Sequence, residues 1–308
     1  MHLFVTLIAF FMYSAPTAHA INANAGTTGF SFLKIGVGAR AVALGGAYTT
    51  ATADPEAAAW NPAGLWGINK RTASLSFNRY LVDSQAGFIS TTLPTSKRVW
   101  SISANYVTYG IMQRTDSEGA NLGSFSAADM AAYLSLAQPV WRDWLTLGAS
   151  IKAIYSNIDE FSSDAYALDL GLLIRGPLQG MHLGASLSNL GFVRSAYVGE
   201  FKDSLPVHMR FGLSHRPAHM PVPMLLLADF NLPNDSDPYL CLGLEVQVVS
   251  GLYVRPGYSL QQAGSADENA VGLSAGAGFA AKRYRLDYAY SSYADLGDVH
   301  RVSILGGF

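Results

Sequence analysis

The stretch Leu145–Tyr155, LTLGASIKAIY, alternates between two kinds of side chain. Leucine, alanine, isoleucine and tyrosine occupy every second position, and threonine, glycine, serine and lysine fall between them, with Ile154 as the one exception. Successive side chains of a β-strand point to opposite faces, so this pattern predicts a strand with one apolar face and one small or polar face. A membrane barrel needs that arrangement because its wall has lipid on one side and the lumen on the other.

The same alternation recurs through most of the chain after residue 71. It is clearest in 207–213, 271–279 and 284–291. Strands are predicted near 72–80, 85–93, 98–109, 124–138, 143–156, 164–175, 180–190, 206–215, 222–231, 238–249, 251–260, 269–281, 283–292 and 299–308. This gives about fourteen strands, and bacterial single-chain barrels have an even number.

The links between these predicted strands sort by length and by charge. If the last strand ends on the periplasmic side, the periplasmic links are short and basic, and most outer links are longer and acidic. The short links are 94–97, 139–142, 176–179, 216–221, 250 and 282, and the outer links include 110–123, 157–163, 191–205, 232–237, 261–268 and 293–298. Outer-membrane barrels have short periplasmic turns and longer outer loops, whereas the alternative, a soluble β-sandwich, does not explain this sorting.

Composition and the first residues agree with an exported membrane protein. Only 14% of residues are charged, against roughly 25% in soluble domains, and the net charge of −2 gives no indication of a nucleic-acid partner. Met1–Ala20 has the apolar run and the small-residue end of a secretory signal peptide, although a buried N-terminal helix is the alternative. We therefore expect a signal peptide over 1–20, an N-terminal segment over 21–70 and an antiparallel β-barrel over 71–308. The expected location is the outer membrane of a Gram-negative-type bacterium, in contact with its lipid.

The segment Gly29–Trp66 does not alternate and is rich in glycine and alanine. A barrel of about fourteen strands encloses a lumen that its own side chains do not fill, so this segment is predicted to be a hatch that plugs it. A short helix is expected over 51–59, beginning near Asp54-Pro55 and ended by Pro62 and Gly64. The alternative is an arm on the periplasmic or lipid surface.

Charged residues of this segment are expected to meet charges on the wall. Arg40, Asp54 and Glu56 are the charged residues concerned. The predicted lumen partners are Arg210, Arg255 and Asp287.

The stretch GVGARAVALGGAYTTATADPEAAAWNPAGL, residues 36–65, resembles the N-terminal signature of the PorV/PorQ family, within the wider FadL-like group of outer-membrane proteins. Asn61-Pro62-Ala63, followed by Gly64, is similar to the hatch motif of that group. Weaker similarities lie at 169–173, 183–191, 205–207, 255–258 and 286–291. The resemblance implies a fourteen-stranded barrel with an N-terminal hatch.

Two functions follow as hypotheses. The first is passage of hydrophobic small molecules, as the resemblance to FadL-like transporters implies, with Phe30, Phe32, Leu33, Arg40 and Trp60 as candidate contacts in the hatch. The second is a type IX secretion system component that docks or shuttles cargo proteins without transporting small molecules. A structural barrel without flux is a third possibility.

No catalytic constellation is expected. Gly272–Gly276 matches the G-x-S-x-G pattern, but a nucleophile elbow requires a strand–turn–helix context and this stretch is predicted to lie within one strand. The single cysteine, Cys241, rules out a multi-cysteine metal site, and neither a metal nor a cofactor is predicted. The terminal Phe308 resembles the aromatic signal that the barrel assembly machinery reads, which makes that machinery an expected partner.

Overall fold

The computed structural model describes residues 24–81, 84–142, 144–262, 272–293 and 297–308. The predicted signal peptide lies outside these residues. Fourteen strands are described: β1 Thr72–Arg79, β2 Gln85–Pro94, β3 Val99–Thr115, β4 Asn121–Trp141, β5 Leu145–Ile158, β6 Phe161–Arg175, β7 Met181–Ser195, β8 His208–His215, β9 Met224–Pro233, β10 Tyr239–Val249, β11 Leu252–Ser259, β12 Leu273–Ala281, β13 Tyr284–Ser292 and β14 Asp298–Gly307.

These strands form one closed barrel in which each strand is antiparallel to the next along the chain. The ring closes where β1 pairs with β14, in a continuous register from Thr72 opposite Gly307 to Arg79 opposite His300. The prediction of an all-β, antiparallel barrel of about fourteen strands is therefore confirmed. Closure also leaves no free sheet edge, which a backbone in lipid requires.

The two faces of the wall differ as the alternation predicted. In β5, Leu147 and Ile151 are exposed on the outside, while Ser150 and Lys152 are buried inside the barrel. Large apolar side chains thus cover the exterior, and small or polar ones face the lumen. Among the described residues, no helix is long and apolar enough to cross a membrane.

Strands β3, β4, β6 and β7 are longer than the alternation indicated. Strand β3 continues to Thr115 and β4 begins at Asn121, so most of the predicted loop 110–123 is a β-hairpin. Likewise β6 begins at Phe161 and β7 continues to Ser195. At the end of β3 nearly every residue is exposed, because solvent lies on both faces there, and the alternating signal disappears.

We call the end of the barrel that carries these extensions the loop end, and the opposite end the turn end. The loop end carries the links 116–120, 159–160, 196–207 and 234–238, and the turn end carries 95–98, 176–180, 250–251 and 282–283.

Residues 29–68, which we call the inner segment, form short helical turns instead of strands. They comprise 3-10 turns at Ser31–Lys34, Pro55–Ala59 and Pro62–Leu65, and one α-helix, α1, at Ala39–Ala43. The predicted helix over 51–59 is therefore a single 3-10 turn, capped by the Asp54 side chain. Pro62 begins the next turn instead of ending the first, because its fixed φ suits the first position of a turn.

The inner segment lies against the inner face of the wall on opposite sides of the barrel. Helix α1 packs on β11 to β14, while the turn Pro62–Leu65 packs on β4 to β6. Tyr48, Thr49 and Asn61 are fully buried between these two contacts. The hatch function of the segment stays a prediction.

Candidate functional site

Glycines on the wall form the seat of the inner segment. Three pairs of glycines lie directly opposite each other on neighbouring strands: Gly148 with Gly171, Gly184 with Gly212, and Gly243 with Gly257. The pairs meet, in the same order, the stretch 61–63, Thr49, and the stretch 44–45. Because glycine has no side chain, the backbone of the inner segment can approach the backbone of the wall at each pair. We call these six residues the glycine belt.

The Asn61-Pro62-Ala63 motif lies against the glycine pair Gly148 and Gly171, and its side chains fit this contact. The Asn61 Oδ1 atom accepts a hydrogen bond from the Ala63 amide, which caps the following turn. Its Nδ2 group donates to the Thr49 carbonyl at 2.7 Å and to the Leu172 carbonyl of the wall at 3.1 Å. One side chain thus joins two parts of the inner segment to strand β6.

Replacing Gly171 with alanine is expected to lower the free energy of unfolding by about 1–3 kcal/mol, the usual effect of overpacking. A β-carbon at this position would lie 2.1 Å from the Asn61 Oδ1 atom. The matched control is Gly307→Ala, whose added β-carbon would have no neighbour closer than 3.8 Å. Urea unfolding in detergent measures both variants, and equal stability of the two would contradict a steric seat at Gly171.

Three arginines and three carboxylates form a closed ring of ion pairs that joins the inner segment to the wall. Around the ring the members are Arg40, Glu245, Arg255, Asp287, Arg285 and Asp54, with Asp54 returning to Arg40. Arg40 and Asp54 belong to the inner segment, and the other four lie on β10, β11 and β13.

The geometry of the ring places each charged group beside groups of opposite charge. Arg40 binds Glu245 through two N–H groups at 2.7 and 2.8 Å, the bidentate arrangement that makes guanidinium–carboxylate pairs strong. Asp54 accepts from Arg285 at 2.6 Å and from the Tyr48 hydroxyl at 2.7 Å. Burial alone raises the pKa of Asp54, but Arg285 and Arg40 outweigh it and hold the pKa well below its ordinary range.

Glu56 lies two residues after Asp54, but its pKa is shifted in the opposite direction. It is fully buried, and it forms no ion pair with any residue that the structure describes. Burial, reinforced by the neighbouring Asp54 carboxylate, raises the pKa of Glu56 to about 8. The side chain is therefore mainly protonated at neutral pH.

A cavity of about 480 Å³ lies between the inner segment and the wall near the loop end, and we call it the loop-end cavity. Its two sides differ in chemistry. The inner segment contributes mainly apolar groups, including Leu33, Ile35, Val37, Val42 and Trp60. The wall contributes mainly polar groups, including Asn105, Lys152, Asn189, His208, Arg210 and Asn231.

A second cavity of about 320 Å³ lies at the turn end. The ring members Arg40, Glu245, Arg255 and Arg285 line it, together with turn-end residues that include Arg216. The two cavities therefore offer different environments: the loop-end cavity is amphipathic, and the turn-end cavity is bordered by the ion-pair ring.

The candidate contacts in the inner segment fall into three places. Leu33 and Trp60 line the loop-end cavity, and Arg40 lines the turn-end cavity. Phe30 and Phe32 are buried in a cluster against the wall and line neither cavity. Their roles in ligand contact stay predictions.

The predicted charge partners were correct only in part. Arg255 and Asp287 belong to the ring, but Arg40 and Asp54 contact Glu245 and Arg285 instead, and Arg210 is not a member. Glu245 and Arg285 were not among the predicted charge partners. The alternation of β10 and β13 could have indicated them, since it places Glu245 and Arg285 on the lumen face.

Ser274 and Phe308, which were also named from the sequence, form hydrogen bonds that stabilise the fold. Ser274 of the G-x-S-x-G stretch lies in β12 and donates to the Ala43 carbonyl at 3.1 Å. The Phe308 amide donates to the Arg71 carbonyl at 2.8 Å, which ties the chain end to the start of β1. The assembly-signal role of Phe308 stays a prediction.

Comparison of the sequence with protein-family models and with curated proteins gives no match. Solved structures do resemble the fold. The Ralstonia pickettii toluene transporter TbuX is 15% identical with a TM-score of 0.62, over 89% of this chain and 98% of the transporter chain. The P. putida toluene transporter TodX is 13% identical with a TM-score of 0.64, over 89% of this chain and 99% of the other. The chain therefore has the barrel fold of bacterial outer-membrane proteins, which these two transporters share.

Proposed function

We propose that this protein is a non-enzymatic outer-membrane barrel that binds hydrophobic small molecules and lets them pass. The observation that carries the proposal is the loop-end cavity, whose inner-segment side is apolar. The fold shared with two toluene transporters supports the same class of substrate.

The cavity has the size and lining of a small-molecule site. Ligand pockets commonly measure about 300–1,000 Å³ and combine apolar surface with a few polar groups. The Trp60 ring is held in place because its Nε1 group donates to the Val37 carbonyl at 2.9 Å. Leu33 and Ile35 extend the apolar surface beside it. An apolar molecule would therefore find a preformed surface.

Passage of a molecule through the barrel also requires the inner segment to move, because the segment lies between the two cavities. The FadL-like resemblance suggests this role for the segment as a hatch. In our proposal the molecule enters at the loop end, rests on the apolar side of the cavity, and leaves when the inner segment shifts.

Toluene is the probe for this proposal. Purified protein in detergent is expected to bind radiolabelled toluene in equilibrium dialysis, and Leu33→Asn to weaken binding by about tenfold through lost apolar contact. Leu178→Asn is the matched control, because Leu178 lies in a turn-end link and lines neither cavity. Absence of toluene binding by the natural protein, or equal binding by both variants, would overturn the proposal.

The alternative is a docking role in type IX secretion, in line with the PorV/PorQ resemblance. Exposed apolar side chains at the loop end favour it, notably Ile111, which is 82% exposed, and Phe201, which is 81% exposed. Mass spectrometry of the complex isolated from the native membrane tests this role. Secretion components that are lost after Ile111→Asp and Phe201→Asp, without any effect on toluene binding, would favour docking.

A further inference from the structure

Arg301 on β14 is a buried cation whose side chain faces the lumen at the seam where the barrel closes. Its residue surface is only 1% exposed, and it lies opposite Asn78 on β1 in the register of that seam. Its two terminal nitrogens, Nη1 and Nη2, are buried and have no hydrogen-bond partner among the described residues. The same holds for the Nδ2 group of Asn78. Three buried donor groups at the seam therefore lack an acceptor.

These donors border a third cavity, of about 10 Å³, which we call the seam cavity. The wall contributes the polar side chains of Ser76, Asn78, Asn105 and Arg301, and the inner segment contributes residues 35–38. Residues 86–88 of β2 complete the lining. No acidic residue is among the described residues that line the cavity. Its polar side chains are thus one guanidinium, two amides and one hydroxyl.

A hydrogen bond to the same strand fixes the inner segment over the seam cavity. The Ala39 amide donates to the Ser303 hydroxyl at 2.8 Å, and Ser303 is the next inward residue after Arg301 on β14. Because residues 35–38 directly precede Ala39, this bond holds them close to Arg301. The cavity is thus bounded by the inner segment on one side and by the wall on the other.

Glu56 is the acidic residue whose charge acts on Arg301, but the two form no ion pair. A β-carbon on Gly38 would lie 2.2 Å from the Glu56 Oε2 atom, so the carboxyl group packs against the main chain beside the seam cavity and does not line it. Burial and the neighbouring Asp54 carboxylate raise the pKa of Glu56 and keep it mainly protonated at neutral pH. The positive charge of Arg301 therefore has no partner anion in the part of the chain that the structure describes.

A buried guanidinium without an anion is costly in a folded protein, and a bound anion would offset that cost. The size of the seam cavity selects the anion, because a cavity of roughly this volume holds one water molecule. A phosphate, a sulfate or an organic acid is too large for it, whereas a monatomic halide is close to the size of water. Guanidinium, amide and hydroxyl groups all donate hydrogen bonds, and a spherical anion accepts them from any direction.

We propose that the seam cavity binds one chloride ion, which accepts hydrogen bonds from Arg301 and Asn78. The ion joins the first and the last strand of the barrel, because these two residues face each other across β1 and β14. It also lies against residues 35–38, so it couples closure of the barrel to the position of the inner segment. Chloride at this site stabilises the fold and is independent of the molecule that the loop-end cavity binds.

Bromide is the probe that locates the site, because it resembles chloride in charge and size and scatters X-rays anomalously. Crystals of the natural protein in sodium bromide are expected to show an anomalous peak within hydrogen-bonding distance of the Arg301 Nη atoms. Arg301→Gln should lack this peak. The control Arg194→Gln, which removes an exposed arginine paired with Asp164, should retain it. Crystals of the natural protein without a peak beside Arg301 would overturn the proposal.

Thermal unfolding in detergent tests binding in solution. The unfolding midpoint of the natural protein is expected to be at least about 2 °C higher in about 0.15 M sodium chloride than in the same concentration of sodium gluconate, whose anion is too large for the cavity. Arg301→Gln should lose this difference and Arg194→Gln should keep it, which separates the site from a general salt effect. Equal midpoints of the natural protein in the two salts would mean binding at crystal concentration only and would overturn the proposal. Both measurements on the natural protein decide the question even if Arg301→Gln does not fold.

Discussion

Deletion of residues 29–66 converts the barrel into an open pore, with a steady single-channel conductance at least about tenfold above that of the natural protein. A fourteen-stranded wall lies between small barrels, which side chains fill, and porins, which hold a water channel. Where the inner segment sits, the glycine belt offers no side chains to replace it. Water and ions should therefore fill the vacated lumen.

Planar lipid bilayer recordings measure this effect. The matched control is deletion of residues 116–120, the link between β3 and β4, which removes exposed residues only. Heat-modifiable gel mobility shows whether each variant is a folded barrel. A folded 29–66 deletion with the conductance of the natural protein would show that the segment does not act as a hatch.

Replacement of Glu56 with glutamine stabilises the protein at alkaline pH and has little effect in acid. The folded-state pKa of Glu56 is about 8, above the ordinary value of 4.5, so the folded state binds the proton more tightly than the unfolded state. The contribution of Glu56 to stability is therefore fully present below pH 4.5 and is lost as the pH rises to 8. At pH 9 the expected gain of Glu56→Gln is about 2–4 kcal/mol, less than the full shift would give, because the protein relaxes around the charge.

Urea unfolding in detergent at pH 5 and at pH 9 measures this difference. The control is Glu118→Gln, a change of the same chemistry at an exposed position in the 116–120 link. It should leave the pH dependence of the natural protein unchanged. A Glu56→Gln variant whose stability falls between pH 5 and pH 9 as steeply as that of the natural protein would contradict a buried, protonated Glu56.

The wall of the barrel could be predicted closely where lipid and lumen impose opposite demands on alternate residues. Strand β13, predicted over 283–292, spans Tyr284–Ser292, because its large outward residues and its smaller inward ones are constrained by different surroundings. The end of β3 could not be predicted in this way. Beyond residue 109 both faces meet solvent, so no alternation is imposed, and hydrogen bonding to β4 alone extends the strand.

The sequence predicts which charged residues face the lumen, but it does not predict which of them pair. Alternation shows that Arg255 and Asp287 face the lumen, yet it does not show at which height or beside which part of the inner segment they lie. The partner of Arg40 is more than two hundred residues away, so its identity depends on the register of many strands together. Asp229 illustrates the same limit, because only the structure shows that it accepts hydrogen bonds from the backbone of Tyr48 and Thr49.

The glycine belt fixes the distances along the chain between the points at which the inner segment contacts the wall. Its three points of contact are spaced along the segment at 44–45, 49 and 61–63, and they correspond to three fixed places on strands that surround the lumen. The belt receives main chain together with a few side chains such as that of Asn61, so it is sensitive to the length of the segment. A grafted segment would have to keep its length, Asn61 and the ring members Arg40 and Asp54. One extra residue between Thr49 and Asn61 would move the Asn-Pro-Ala motif off its glycines.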